Sequence, residues 1–274
     1  MKAQNKLLNK NREGKFVCVG LDTDIEKIPQ HLLHEENPVL EFNKQIIENT
    51  AEFAAAYKIN FAFYEKDGNA GLTSIARTLE LIPSDILTIA DAKRGDIGNT
   101  SMMYAKEVFD YYKFDSITVN PYMGTDSVEP FILHEDKLIF ILALTSNKGA
   151  NDFEKLKCDD GSYLFQKVID KTLTWNTNKN CGLVFGATQL NELKENLSRT
   201  ENLPLLIPGV GAQGGSFEET SKLLSKAHDK SYIINISRGI IYKSSGKEFA
   251  KAAKAEIIYY NNISKNVLNN KKFM

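Results

Sequence analysis

The segment Asp91-Ala92-Lys93-Arg94-Gly95-Asp96 sets two carboxylates around a lysine, and a second lysine, Lys58, stands inside an apolar stretch upstream. Charged side chains in apolar stretches are costly unless they are paired. Lys58, Asp91, Lys93 and Asp96 therefore read as a lattice of alternating ammonium and carboxylate groups. Such a lattice can stabilise charge that builds up in a reaction and deliver a proton to it. The alternative is an ion-pair network that only closes the fold. Downstream, Pro208-Gly-Val-Gly-Ala-Gln-Gly-Gly215 holds four glycines, and Arg238 follows some two dozen residues later. Glycine permits positive φ and close backbone approach, so successive free N–H groups can cradle an anion. Gln213 adds a side-chain amide and Arg238 a charged fork. A plain tight turn is the alternative here. Taken together, the two groups point to an enzyme for a small phosphorylated substrate whose reacting centre meets lysines and aspartates.

These residues lie far apart in sequence, so a scaffold must gather them. Short apolar, β-rich runs recur at 16–22, 56–64, 87–93, 116–123, 138–146, 182–188, 204–210 and 231–238. Most are near-continuous rather than alternating, as strands buried on both faces are. Helical patterns lie between them at 40–55, 101–112, 190–197 and 217–227, with a closing helix over 247–267. Strand-then-helix repeated about eight times predicts an α/β fold, a (β/α)8 TIM barrel, formed by residues 1–274 as one domain. A doubly wound open sheet is the alternative. In a barrel, chemistry belongs at the C-terminal ends of the strands. Those ends carry Asp22, Lys58 and Asn60, Asp91 to Asp96, Asn120, Thr145-Ser146-Asn147, Gly186 to Gln189, the glycine-rich segment, and Ser237-Arg238. Alternation along a strand puts Asp91 and Lys93 on one face, with Ala92 on the other. Asp96 falls just beyond, before a helix starting near Asn99-Thr100. Arg94 and Lys66 read as solvated or pairing residues.

The 274 residues carry 34 basic and 35 acidic side chains, a net charge of −1, which gives no general attraction to nucleic acid or to a membrane surface. Three cysteines, Cys18, Cys158 and Cys181, fit a reducing compartment and read as small buried hydrophobes. His31, His34, His134 and His228 are scattered and read as surface residues, with no metal-ligand spacing. No nicotinamide fingerprint or P-loop occurs, so neither metal nor cofactor is expected. The N-terminal residues lack the apolar stretch of a secretory signal, and the longest apolar run, 138–144, is far short of a membrane span. A cytoplasmic protein is expected.

The strings DAKRGDIGNT (91–100), TVNPYMG (118–124), LTSN (144–147), GAT (186–188) and IPGVGAQGG (207–215), with Lys58 and Arg238, resemble the orotidine 5′-phosphate decarboxylase family. The likeness is to its longer bacterial branch, type 2, and covers nearly the whole chain. It implies conversion of orotidine 5′-monophosphate to uridine 5′-monophosphate and carbon dioxide, the last step of de novo UMP synthesis, without metal or cofactor. Lys93 then matches the donor of a proton to C6 of the pyrimidine, and Asp91 the carboxylate beside the departing one. Lys58 and Asp96 match the rest of the charged tetrad. The resemblance also implies a homodimer with shared sites, in which Asp96, Ile97 and Thr100 reach the partner's substrate. Asp22 matches a ribose-hydroxyl ligand, Ser146 a pyrimidine contact, and Gln213 and Arg238 phosphate contacts. Ser237, where many shorter relatives have glycine, and the long stretch 147–180 depart from the family pattern, and the resemblance assigns Asn120 no role. Related barrels with the same D-x-K-x-x-D motif process sugar phosphates with Mg²⁺ and an acidic residue near strand two, where this chain has Lys58. A phosphate-binding scaffold without catalysis is the remaining reading, but all four tetrad residues are present.

Overall fold

The structure, a computed structural model, describes residues 1–200, 203–211, 213–226 and 231–271; Ala212 of the glycine-rich segment and His228 lie outside them. Eight parallel strands close into a barrel in chain order. They are β1 (Val17–Gly20), β2 (Ala56–Asn60), β3 (Leu87–Arg94), β4 (Ser116–Val119), β5 (Leu138–Leu144), β6 (Cys181–Phe185), β7 (Leu205–Ile207) and β8 (Tyr232–Ile236). The open-sheet alternative is excluded, because β1 pairs with β8 through Val17↔Ile234 and Cys18↔Asn235.

The helices α1 (Ala3–Arg12), α2 (Pro38–Thr50), α3 (Ala62–Glu65), α4 (Gly68–Glu80), α5 (Gly98–Lys106) and α6 (Thr125–Ile132) occupy the first half. They are followed by α7 (Leu164–Trp175), α8 (Leu190–Asn196), α9 (Phe217–Ser225), α10 (Arg238–Ile241) and α11 (Phe249–Lys271). All five expected helices thus appear with shifted ends, and residue 227 of the pattern at 217–227 lies outside the described residues. The pattern at 40–55 begins earlier, because Pro38 presets the helical φ and the Asn37 side chain accepts a hydrogen bond from Leu40 N–H at 3.0 Å. The pattern at 101–112 divides into α5 and a wider π-helical turn over Glu107–Tyr111. The run 56–64 is strand only to Asn60, after which the chain coils into α3.

Two apolar layers hold the barrel. Inside it, Cys18, Ala56, Ile89, Phe140, Val184, Leu206 and Ile233 pack on one another. Outside it, Val19, Ile59, Ala90, Ile117, Ile141, Leu183 and Ile234 meet the helices. Below their C-terminal ends the strands are buried on both faces, which explains the unbroken apolar runs. The lower mouth is closed by α1, whose Leu7 is fully buried against the inner layer. Lys6 pairs with Asp115 at 2.7 Å and Lys10 with Asp85 at 2.6 Å, fixing α1 beneath β3 and β4. With the lower end plugged, access is left to the C-terminal ends of the strands.

Cys18 and Cys181 are buried as expected, and burial pushes the Cys181 thiol up to about 12. Cys158 differs: it sits half-buried in a loop, where its N–H donates to Ser162 O at 2.8 Å. His31 and His34 are exposed. His134 is half-buried instead, because its ring packs on Phe109 with centroids 4.9 Å apart.

Candidate active site

A cavity of about 270 Å³ opens at the C-terminal ends of the strands, with Leu142, Val184 and Leu206 as its apolar floor. Asp22, Lys58, Asp91 and Lys93 stand along one side, and Ser146, Gln213 and Arg238 also line it. Every strand contributes a residue or leads into one that does.

The charged side is a relay of short contacts. Lys58 Nζ lies 3.2 Å from Asp22 Oδ1 and 2.8 Å from Asp91 Oδ2. The other oxygen of Asp91, Oδ1, accepts from Lys93 Nζ at 2.6 Å and from the Thr118 hydroxyl at 3.1 Å. Burial alone favours the neutral amine of Lys58, but the charges of Asp22 and Asp91 outweigh it and hold the ammonium well above the ordinary lysine value. Asp91 is the mirror case. Burial opposes its ionisation, yet Lys58 and Lys93 keep the carboxyl well below the usual carboxylate range. Lys58 and Asp91 are therefore both ionised throughout the neutral range. The side chain of Lys58 is 4% exposed and that of Lys93 is 51% exposed, so only the second ammonium reaches freely into the cavity.

The support beneath each group is specific. Tyr64 OH donates to Leu21 O at 2.9 Å, and Asn43 joins Thr23, Tyr64 and Thr78 in one buried network. Tyr242 OH donates to Asp22 O at 3.1 Å and accepts from Asp24 N–H at 2.7 Å. The turn bearing Asp22 is thereby pinned from α2, α3, α4 and the segment after α10. Arg94 pairs with Glu65 and lies over the rings of Phe61 and Tyr104, 5.3 and 5.1 Å from their centroids. Lys66 pairs with Asp67 at 3.0 Å, so both residues make ion pairs as expected.

Lys93 is not reached by plain alternation. Ala90↔Ile117 and Arg94↔Val119 are consecutive pairings, so β3 bulges between Ala90 and Arg94, and Lys93 takes φ +47°. Asp91 and Lys93 do meet, but a bulge with a left-handed residue brings them together. Thr118, which stands opposite that bulge, was missed from sequence because it reads as one more residue of a β-rich run.

Across the cavity, the Ser146 hydroxyl donates to Gln213 Oε1. Gly209 has φ +96°, and a Cβ there would fall 2.9 Å from Ser146 Cβ, so only glycine allows this approach. The loop uses several of its own amides. Gly211, Gly214 and Gly215 N–H donate to Gly215, Gly211 and Gly209 carbonyls. These three amides are not free to cradle an anion, a correction to the expected glycine cradle, whereas Gln213 and Arg238 line the cavity. Ser237 sits where a Gly20 Cβ would be 1.9 Å from its Oγ, so the serine occupies space left by Gly20.

The segment 147–163 is fastened to the rim: Glu154 Oε2 accepts from Thr145 N–H at 2.6 Å, and Lys155 reaches Gln189 Oε1 at 2.7 Å. Asn120 does not line the cavity; its N–H donates to Arg94 O at 2.8 Å and its Oδ1 accepts from Tyr122 N–H at 3.0 Å, shaping the turn after β4. Asp96, Ile97 and Thr100 are not brought to this cavity either. Asp96 Oδ1 accepts from Ile97 N–H at 2.7 Å, while Ile97 is 56% exposed. Among the described residues no group of three or more His, Cys, Asp or Glu side chains gathers as a metal site, and no helix is long and apolar enough to cross a membrane.

Residues 15–253 match the model of the "Orotidine 5'-phosphate decarboxylase / HUMPS family". The chain is 48% identical over 248 residues to an orotidine 5′-phosphate decarboxylase of Porphyromonas gingivalis, covering 89% of this chain and 90% of the relative. It is also 48% identical over 246 residues to one of Dehalococcoides mccartyi, covering 89% of each chain. Among solved structures, the OMP decarboxylase of Leishmania donovani superposes with a TM-score of 0.80 at 35% identity, covering 96% of this chain and all 100% of that one. A putative orotidine-monophosphate decarboxylase of Toxoplasma gondii gives a TM-score of 0.85 at 32% identity, covering 97% of each chain.

Proposed function

The chain belongs to the orotidine 5′-phosphate decarboxylase / HUMPS family, and on that premise we propose that it decarboxylates orotidine 5′-monophosphate to uridine 5′-monophosphate, the closing step of UMP synthesis, with neither metal nor cofactor. The observation that carries this reading is the Lys58–Asp91–Lys93 relay. It presents one exposed ammonium to the cavity and holds it against a carboxylate that stays ionised.

The chemistry follows from these groups. The bond between C6 and the carboxylate carbon breaks, and its electron pair stays on C6 in an orbital that the ring carbonyls delocalise poorly. Neutral carbon dioxide leaves. The Lys93 ammonium faces the developing carbanion, stabilises it, and passes one proton to C6; the resulting amine regains a proton from water. Preorganised charge of this kind contributes about 3–4 kcal/mol per group to transition-state stabilisation. Asp91, beside the departing carboxylate, repels it, and Leu142 and Val184 offer apolar space for carbon dioxide. Asp22 and Lys58 bind ribose hydroxyls, Ser146 with Gln213 meets the pyrimidine, and Gln213 with Arg238 holds the phosphate. Binding energy at the phosphate, remote from C6, is available to the transition state.

Lys58 also bears on the sugar-phosphate relatives. Its ammonium stands between Asp22 and Asp91, where those enzymes would need room for a divalent ion. Asp96, Ile97 and Thr100 complete the site of a second copy in a homodimer; the exposure of Ile97 and Thr100 and the absence of all three from this cavity support that arrangement. Residues 1–274 act as one domain in this reading, since α1 plugs the barrel and α11 packs on α2 and α9, and the reading places that domain in the cytoplasm, where UMP synthesis would use it.

Turnover of orotidine 5′-monophosphate, followed by ultraviolet absorbance with excess EDTA, tests the proposal. Rapid conversion to uridine 5′-monophosphate is expected. A folded protein that leaves the nucleotide unchanged, or converts it only when Mg²⁺ is restored, overturns it.

A further inference from the structure

Between its pairings at Ala90 and Arg94, β3 has three residues where β4 has the single residue Thr118. Lys93 lies in this bulge with φ +47°, a strained region in which a non-glycine residue persists only when its surroundings hold it there. Its N–H donates to Thr118 Oγ1 at 3.0 Å, and the same hydroxyl gives its own proton to Asp91 Oδ1 at 3.1 Å. Asp91 Oδ1 is also the atom that Lys93 Nζ reaches at 2.6 Å. Both ends of Lys93 are thus tied to one carboxylate oxygen, the ammonium directly and the backbone through a hydroxyl. Thr118 is 2% exposed, so water does not readily replace that hydroxyl.

We propose that Thr118 is a positioning residue for the reaction: its hydroxyl holds the Lys93 backbone in the left-handed turn that aims the ammonium into the cavity, and orients Asp91 Oδ1 toward it. Thr118 need not touch substrate to do so. The role rests on the decarboxylase reading of Lys93. Valine keeps the shape of threonine without the hydroxyl, whereas serine keeps the hydroxyl.

The test compares Thr118→Val and Thr118→Ser in the full chain by kcat and KM for orotidine 5′-monophosphate, affinity for uridine 5′-monophosphate, and hydrogen exchange at the Lys93 amide. The loss of a hydrogen bond to a charged group predicts that Thr118→Val lowers kcat about 10- to 100-fold. Product affinity should stay within about threefold, since the proposed base, ribose and phosphate contacts are made by other residues. The Lys93 amide should exchange faster in the valine variant, and Thr118→Ser should restore both protection and turnover. Should the valine variant not fold, Thr118→Ala serves for the same comparison. Unchanged kcat and exchange in the valine variant, or an equal loss in the serine variant, overturns the proposal. If the parental protein does not turn over the nucleotide, the decarboxylase reading fails, and Lys93 exchange in the valine and serine variants still decides whether Thr118 holds the turn.

Discussion

Lys58 Nζ and Asp91 Oδ2 lie 2.8 Å apart at the top of the barrel, with side chains 4% and 11% exposed. A buried pair of this kind orients as well as neutralises. With Oδ2 engaged by Lys58, the second oxygen of Asp91 is turned toward Lys93 and Thr118. Removing one member leaves a buried charge without its partner, which destabilises by about 3–5 kcal/mol.

The pH dependence of stability follows from the same pair. Asp91 is held below the ordinary aspartate value of 3.8, so its contribution is fully present above that value and is lost as pH falls toward its folded value. Lys58 is held above 10.5, so its contribution is present below that value and is lost only in strong alkali. The stability gap between the parental protein and Asp91→Asn should therefore be constant from about pH 6 to 9 and narrow below about pH 4. Denaturant unfolding across that range measures it. A gap that widens on acidification contradicts the ion-pair account.

A shared site predicts complementation. Lys93→Ala and Asp96→Asn subunits should each be nearly inactive alone. If Asp96 serves the partner, a hybrid dimer has one site with both Lys93 and Asp96 intact. Random mixing then restores roughly a quarter of parental activity. No recovery in verified hybrids would place Asp96 in its own subunit's site or outside the chemistry.

Arg238 is expected to act through the phosphate. Arg238→Ala should weaken uridine 5′-monophosphate binding about 10- to 100-fold, as losing a hydrogen bond between charged groups does, and leave uridine binding unchanged. Calorimetry with the two ligands separates these effects. An equal loss for uridine would move Arg238 to the base or the ribose.

Much of the scaffold is legible in the residues because burial on both faces leaves so clear a trace: each of the eight apolar runs overlaps a barrel strand. Asp22, Lys58, Asp91 and Lys93 were readable for the related reason that charges at strand ends stand out against apolar neighbours. Other features depend on partners distant in sequence. The bulge at Lys93 is set by pairing with β4 across some 25 residues. Helix α1, AQNKLLNKNR, carries little apolar periodicity; it is placed by Leu7 entering the barrel and by Lys6 and Lys10 reaching Asp115 and Asp85. The glycine-rich segment showed its capacity for positive φ, but not that Gly211, Gly214 and Gly215 amides bond within the loop. Asp96, Ile97 and Thr100 belong to a motif evident in the sequence, yet their proposed place depends on a second chain.

The most direct test of Lys93 as proton donor is single-turnover conversion of orotidine 5′-monophosphate by Lys93→Ala, with binding of uridine 5′-monophosphate measured on the same sample. Loss of a positioned acid that also stabilises the carbanion predicts a fall of at least about 10³-fold in the chemical step, with the product still bound. Parental turnover in that variant, with the nucleotide bound equally well, would contradict the assignment of Lys93.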